Sequence, residues 1–131
     1  MAVRKSSDRI VFVTAGNEES AAAIGRALVE ERLAACANLV GPIRSIYRWK
    51  DSIEHASEYL LIIKTRASLY AALEKRVKEL HSYEVPEIIA VKIESGSPQY
   101  LAWIHESTAI GKIAPAQMPG EIQRGRRLRR S

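Results

Sequence analysis

The chain has 131 residues, enough for one domain with a single core, and 47% of them are apolar against 27% charged. No apolar run approaches the roughly 20 residues that span a bilayer, and no apolar secretory segment follows the charged start, so we expect neither membrane association nor export. The single cysteine excludes an internal disulfide and fits a reducing compartment, which predicts a cytoplasmic protein.

The net charge of +5 is concentrated at one end of the sequence. Residues 1–110 carry 14 Lys or Arg and 14 Asp or Glu, whereas residues 111–131 carry six basic residues and one acidic residue. We therefore predict a neutral folded domain over 1–110 and a basic, flexible extension over 111–131. Because no aromatic residues alternate with the arginines of this extension, the sequence argues against nucleic-acid binding.

The first predicted elements are a strand and a helix. Apolar IVFVTA, residues 10–15, has the β-branched content of a strand. Asn17 can cap the following helix through its side-chain oxygen, and Glu18 and Glu19 lie in the first turn, where the helix dipole favours acidic residues. The apolar period predicts that this helix runs to about residue 34.

A long β-hairpin is predicted after Cys36. The segment ANLVGPIRSIYRWK alternates like a strand, and Gly41-Pro42 should form a bulge or an unpaired edge because proline cannot donate to the ladder. Asp51-Ser52 predicts the reversal, and IEHASEYLLIIKT returns as the second strand. Strands of this length would extend about 50 Å, well beyond a compact body of roughly 28 Å, so the far half should pack on further copies of the chain.

A helix, a strand and a terminal helix complete the chain. Ser68 can cap the helix, in which apolar residues recur at the helical period up to Leu80. IIAVKI, residues 88–93, predicts the fourth strand, and Ser97-Pro98 opens the last helix. The order β-α-β-β-α-β plus a C-terminal helix predicts an α+β, ferredoxin-like fold, with an antiparallel sheet, two helices on one face and a long hairpin between the second and third strands.

The loop HSYEVPEI, residues 81–88, is the best candidate site. It holds an imidazole, a phenol, two carboxylates and a proline, and Pro86 restricts Val85 to extended geometry. His81 follows a helix, where an imidazole can satisfy a free carbonyl group. A structural role for His81 and a role as a metal ligand together with Glu84 are therefore both open.

Cys36 is a further candidate ligand. A single cysteine among alanines is most often a small buried hydrophobe, whereas its thiolate would bind soft metals such as Cu(I). His55 and His105 are predicted to face solvent without partners. The sequence has no phosphate-binding loop, dinucleotide fingerprint, nucleophile elbow or zinc-protease motif, so it indicates neither an enzyme nor an organic cofactor.

Two stretches, ERLAACANLVGPIRSIYRWKDSIEHASEYLLIIKT and LHSYEVPEIIAVKIESGSPQYLAWI, resemble the CutA family of divalent-cation tolerance proteins over residues 10 to about 107. The resemblance implies a homotrimer joined by long hairpins with a PII-like architecture, metal binding, and no settled catalytic activity. Asp51 stands at a usual glycine and Ser82 at a usual proline. The positions that match the family's motifs are Cys36, Tyr47, Trp49, Lys64, His81, Tyr83, Glu84, Pro86 and Trp103.

Three functions are left open at this point. In the first, a non-catalytic copper-tolerance trimer binds Cu(II) or Zn(II) in inter-subunit clefts through His81, Glu84 and Cys36. Five further residues are predicted to line these clefts: Tyr47, Trp49, Lys64, Tyr83 and Trp103. In the second, a PII-like signalling or scaffold trimer binds a small organic anion through Lys64 and loop N–H groups. In the third, the polar residues only hold the trimer together and metal binding is adventitious.

Overall fold

The computed structural model describes residues 7–109, which form a four-stranded antiparallel sheet with flanking helices. The elements are β1 (Asp8–Ala15), α1 (Glu18–Glu30), β2 (Cys36–Trp49), β3 (Ser52–Arg66), a 3-10 turn (Ala67–Leu69), α2 (Tyr70–Leu80), β4 (Ile88–Lys92) and α3 (Pro98–Ser107). The strand order β2-β3-β1-β4 confirms the predicted ferredoxin-like α+β fold. No helix within 7–109 is long and apolar enough to cross a membrane. The predicted extension, 111–131, lies outside the described residues.

The main core lies between one face of the sheet and the helices α1 and α2. Alternate strand residues point to this face, and Val11, Val13, Leu61 and Ile63 are fully buried there. The two helices add buried side chains at helical spacing: Ala21, Ile24, Leu28, Leu73 and Val77. This packing fixes the two helices on the same side of the sheet, as predicted.

The helix α1 is about one turn shorter than predicted. Asn17 caps its start as expected. At its end Arg32 has left-handed backbone, with φ 60°, and the N–H groups of Arg32 and Leu33 donate to the carbonyl groups of Val29 and Leu28. This is a Schellman motif, which glycine usually marks. An arginine at the left-handed position gives no stop signal in the sequence, so the predicted end was wrong.

The helix α2 does not begin directly after Ser68. The chain leaves β3 through the 3-10 turn, whose first residue donates its backbone N–H to the carbonyl of Ser7 at 2.8 Å. Ser68 lies inside this turn, and Leu69, the residue before α2, makes no side-chain cap. The predicted Ser68 cap is therefore wrong, because a tighter turn precedes the helix.

The β2-β3 hairpin is long and carries its bulge at the predicted place. The pairing register shifts between Val40 and Ile43, across Gly41-Pro42. We call the part beyond this bulge, residues 43–58, the distal hairpin. The two strands of 14 and 15 residues extend roughly 45–50 Å at ~3.3 Å per residue, in line with the length predicted.

The hairpin turn lies one residue earlier than predicted. Trp49 pairs with Ser52, so that Lys50 and Asp51 form the turn with φ values of 50° and 69°. Two left-handed residues are characteristic of the two-residue turn whose twist matches that of the strands. Asp51 tolerates this conformation better than most residues, which keeps the turn tight although neither of its residues is glycine.

The helix α3 packs on the opposite face of the sheet from α1 and α2. Strand alternation places Asp8 and Arg66, which are cross-strand partners, on this second face. Asp8 is almost fully buried with its carboxylate 3.0 Å from His105 Nε2, and Arg66 Nε donates to Thr108 Oγ1 at 2.8 Å. The prediction that His105 has no partner is wrong, because its partner belongs to the first strand and is brought to it only by folding.

Candidate functional site

His81 ties the loop after α2 to the sheet. Its Nε2 lies 2.7 Å from the carbonyl oxygen of Thr14, and its Nδ1 accepts the backbone N–H of Tyr83 at 3.1 Å. Because a carbonyl oxygen only accepts, Nε2 carries the proton and both ring nitrogens are engaged. His81 therefore has a structural role in this chain. A metal ion could bind at Nδ1 only by displacing the N–H of Tyr83.

Tyr83 connects the loop after α2 to β3. Its hydroxyl donates to Glu58 Oε2 at 2.8 Å, and its ring centroid lies 4.6 Å from that of His81. Glu58 is only 7% exposed, so this hydrogen bond satisfies a carboxylate that has lost most of its water. Burial, followed by the contact with Glu58, raises the pKa of Tyr83 to about 12. The phenol consequently stays neutral at physiological pH and keeps its proton for Glu58.

The loop lines a cleft on each of its two sides. The cleft towards α2 has a volume of about 470 Å³, but its Lys78 is paired with Glu74 at 2.8 Å. The cleft towards the distal hairpin, which we call the aromatic cleft, has a volume of about 210 Å³. The residues that line the aromatic cleft are Tyr47, Trp49, Tyr83, Glu84 and Val85. Four predicted site residues therefore meet in this one cleft.

Cys36, Lys64 and Trp103 lie at the other end of the sheet. Cys36 and Lys64 are cross-strand partners, with Lys64 Nζ 4.0 Å from Cys36 Sγ, and Lys64 also donates to Asn38 Oδ1. Trp103 is half-buried on α3, where its ring contacts that of Tyr100 at 5.4 Å. Cys36 is half-buried and faces polar atoms, so it is not the small buried hydrophobe that its alanine neighbours suggested.

These two groups of predicted site residues are separate within one chain. Lys64 is six residues from Glu58 along β3, which places the two roughly 20 Å apart. Cys36 and His81 therefore cannot coordinate the same ion unless they come from different subunits. Over residues 7–109, no three side chains of His, Cys, Asp or Glu are grouped in a way that could hold a metal ion.

Glu58 is the residue at this site that sequence reasoning missed. It precedes the apolar run YLLII, in a strand where the next residues are mostly buried or half-buried. A carboxylate directly before such a run is the available signal, since a buried carboxylate needs a donor. Its donor, Tyr83, is 25 residues away in the chain and could not be assigned from spacing.

The fold and the site define a ferredoxin-like α+β protein with an extended hairpin and an aromatic, acidic cleft beside it. The family model described as "CutA1 divalent ion tolerance protein" matches residues 9–107. The chain belongs to this family, and the resemblance noted in the sequence is confirmed.

Relatives with a similar sequence carry CutA names. The chain is 54% identical to "Protein CutA" of Mus musculus over 97 residues, which are 74% of this chain and 55% of the mouse protein. It is 46% identical to "Divalent-cation tolerance protein CutA" of Thermus thermophilus over 101 residues, which are 77% of this chain and 98% of that protein. The chain therefore matches about half the length of the mouse relative and nearly all of the bacterial one.

Solved structures with a similar fold carry the same family name. CutA from Xylella fastidiosa has a TM-score of 0.78 at 41% identity and covers 79% of this chain and 100% of its own. CutA1 from Oryza sativa has a TM-score of 0.78 at 42% identity, covering 81% and 97%. Other relatives are named as chloroplastic, in Arabidopsis thaliana, and periplasmic, in Archaeoglobus fulgidus. The names of these relatives thus include more than one compartment.

Proposed function

We propose that this chain is a non-catalytic divalent-cation tolerance protein that binds cations in clefts at the boundaries between the subunits of a homotrimer. The acidic character of the aromatic cleft carries this proposal. Glu84 lines the cleft, Glu58 lies behind Tyr83, and Glu54 is the cross-strand partner of Tyr47. Carboxylates attract cations, and the names of the family and its relatives supply the class of ion.

The surface of the distal hairpin supports the trimer. Ile46 and Ile53 are 62% and 56% exposed on one face of the hairpin, and Tyr47 and Trp49 are nearly half exposed on the other. Apolar residues on both faces of a projecting hairpin indicate a surface that another protein covers. Since β2 is also an edge strand of the described sheet, copies of the chain could pack there in a PII-like arrangement.

The proposed ions are Cu(II) and Zn(II), with Glu84 and His81 as ligands. Carboxylate and imidazole suit both ions, and Cys36 would add a soft ligand if a neighbouring subunit brought it to the loop. Because Nδ1 of His81 must first release the N–H of Tyr83, we expect modest affinity. Trp103 lies away from this cleft and would take part only across a subunit boundary.

The alternative function is a PII-like signalling or scaffold trimer that binds a small organic anion. Lys64 is the predicted cation for such a ligand, but in this chain it contacts Cys36 and Asn38 at the far end of the sheet. An anion site at the loop would therefore need Lys64 from another subunit. For both functions we propose a cytoplasmic location, supported by the single cysteine, and no nucleic-acid partner.

Calorimetric titration of Cu(II) and Zn(II) into metal-stripped full chain tests the proposal, with the solution mass recorded on the same sample. We expect saturable binding by an intact trimer and weaker binding by Glu84→Gln. Glu87→Gln is the matched control, because Glu87 is an exposed carboxylate of the same loop that lines neither cleft. An intact trimer without metal binding would favour the anion-binding alternative.

The variant His81→Ala separates the ligand role of His81 from its structural role. If His81 is a ligand, the variant binds Cu(II) more weakly while the trimer persists. If His81 is only structural, Cu(II) binding is unchanged. In that case stability falls by about 1–3 kcal/mol, as expected when buried hydrogen-bonding groups lose a partner.

A further inference from the structure

The aromatic cleft has walls that suit an alkylated cation. Two side chains of β2, Tyr47 and Trp49, face Tyr83 and Val85 of the loop, and Glu84 supplies a negative charge. Aromatic faces attract cations, and aromatic and aliphatic walls accept methyl groups more readily than they accept a fully hydrated metal ion. We infer that this cleft binds a small organic ammonium ion, such as a quaternary amine. The inference rests on the proposed function only in taking this cleft as the ligand site.

The size of the cleft limits the ligand to a small ion. Its volume of about 210 Å³ lies below the roughly 300–1,000 Å³ of sites for drug-sized ligands. A nucleotide or a dinucleotide would not be enclosed by it. An ammonium ion that carries a few methyl groups would contact several walls at once.

The hydrogen-bonding groups of the cleft agree with such an ion. The hydroxyl of Tyr83 already donates its hydrogen bond to Glu58, so Tyr83 contacts a ligand through its ring and not through its oxygen. Glu84 is an exposed carboxylate on the lining, and Val85 is an exposed aliphatic wall. A quaternary amine needs charge compensation and apolar contact but no hydrogen-bond acceptors. A metal ion needs several ligand atoms, which residues 7–109 of one chain do not group together, so metal binding here needs ligands from a neighbouring subunit whereas an ammonium ion does not.

The chain already places an ammonium group beside one of these rings. Lys50 Nζ lies 5.7 Å from the centroid of the Trp49 ring, within cation–π distance. Lys50 is an exposed residue of the hairpin turn, so its ammonium group can leave for water. Lys50 does not line the cleft, so this contact shows only that the Trp49 ring accepts an ammonium group. Removing a wall of the cleft should weaken binding of the ligand.

Titration of the full chain with choline tests the inference. The NMR signals of the two tryptophan indole N–H groups report binding. We expect the Trp49 signal to shift saturably while that of Trp103, which lies on α3 outside the cleft, stays in place. The neutral isostere 3,3-dimethylbutan-1-ol should bind at least about fivefold more weakly, the factor of a cation–π contact at a partly exposed site. Equal binding of both compounds, or a stationary Trp49 signal, would overturn the inference.

Two variants locate the site. Tyr47→Leu and Glu84→Gln should each weaken choline binding by about fivefold. Tyr100→Leu is the matched control for the loss of a ring, because Tyr100 is an exposed aromatic residue that does not line the cleft. Unchanged binding by Tyr47→Leu and Glu84→Gln would contradict the assignment to this cleft.

Parallel arms separate this inference from the proposed function and identify the source of the cation. Cu(II) binding by an intact trimer without any response to choline would overturn the inference alone. A choline response by a monomer that binds no Cu(II) would overturn the proposed function alone, because one chain forms the cleft. Tighter binding of trimethyllysine amide than of choline would assign the ion to a modified protein, and the reverse would assign it to a free metabolite.

Discussion

Two parts of the β2-β3 hairpin differ in what covers them: the near half, residues 36–42 and 59–66, and the distal hairpin. In the near half, Leu61 and Ile63 are fully buried under α1 and α2, whereas Ile46 and Ile53 of the distal hairpin are largely exposed. Helix packing therefore completes the near half within one chain. The distal hairpin also carries large apolar side chains but lacks a covering element among residues 7–109, which is why we assign it to contacts between subunits.

The candidate site lies where these two regions meet. The loop is fixed to β1 through Thr14 and to the inner end of the distal hairpin through Glu58, and it lines the aromatic cleft with Tyr47 and Trp49. The proposed ligand site and the proposed subunit boundary are therefore neighbouring surfaces. Substitutions on each side of the bulge should separate the two contributions.

The largest effect is expected for Leu61→Ala in the near half. Leu61 is fully buried, and loss of its side chain should lower the free energy of unfolding by about 2–5 kcal/mol. The matched substitution Ile53→Ala removes an exposed apolar side chain of the same strand, and it should mainly weaken association, so that the trimer dissociates at a higher protein concentration than the parent. Urea denaturation measures the first change, and light scattering over a range of protein concentrations measures the second. A loss below ~1 kcal/mol for Leu61→Ala would contradict the assigned core.

A smaller loss is expected at the boundary between the regions, for Gly41→Ala. A Cβ atom at Gly41 would overlap the ring of Tyr59, which is itself partly buried against the core. Overpacking of this kind costs about 1–3 kcal/mol. Combining it with Tyr59→Leu should recover part of the loss, so a double-mutant cycle by thermal unfolding checks the contact. Purely additive losses would show that the ring and the glycine do not interact.

Tyr83→Phe tests the connection between the loop and the inner end of the distal hairpin. The variant leaves the buried carboxylate of Glu58 without its donor, which should lower stability by about 1–3 kcal/mol at neutral pH. The control Tyr47→Phe removes a hydroxyl from the opposite wall of the cleft, and we expect it to change stability little. Chemical denaturation of both variants provides the comparison.

The pH dependence of stability should report the same contact. The folded pKa of Tyr83 is raised to about 12 from an ordinary value of 10.0, mainly by burial. The unfolded chain therefore loses this proton first, so its contribution to stability is complete below pH 10 and disappears as the pH rises from about 10 to 12. Tyr100, also raised to about 12, acts in the same direction. If all five tyrosines ionise together near pH 10 in an absorbance titration, the buried environment assigned to Tyr83 is wrong.

The smallest effect is expected for Ser82→Pro in the loop. His81 already has φ −84° and ψ 144°, the extended geometry that a residue before proline requires. A proline that fits the native backbone stabilises the folded protein by about 0.4–1 kcal/mol, because it lowers the conformational entropy of the unfolded chain. A small rise in melting temperature should follow, with Ser82→Ala as the neutral control. A clear fall would show that the backbone at Ser82 cannot accommodate proline.

Features that depend on neighbouring residues were predictable from the sequence. Strand alternation, the Asn17 cap and the Gly41-Pro42 bulge each follow from local chemistry, and together they specify the order of the elements. The contacts His105 to Asp8 and Tyr83 to Glu58 join distant parts of the chain, so no spacing reveals them. The early end of α1 was missed for a different reason, because an arginine occupies a position that glycine usually marks.

The grouping of the candidate site residues was predictable only in part. Sequence reasoning placed Tyr47, Trp49, Tyr83 and Glu84 together, and these four do line one cleft. Lys64 belongs to the same strand as Glu58, yet the length of β3 separates it from the loop. Such a separation follows from the strand register, which only the folded sheet establishes.

The trimer is best tested by the solution mass of the metal-free full chain, measured by light scattering at micromolar concentration. If the distal hairpin lies at a subunit boundary, the mass is that of three chains, each of 14.6 kDa. A mass of 14.6 kDa, for a stable chain with its distal hairpin open to solvent, would contradict it.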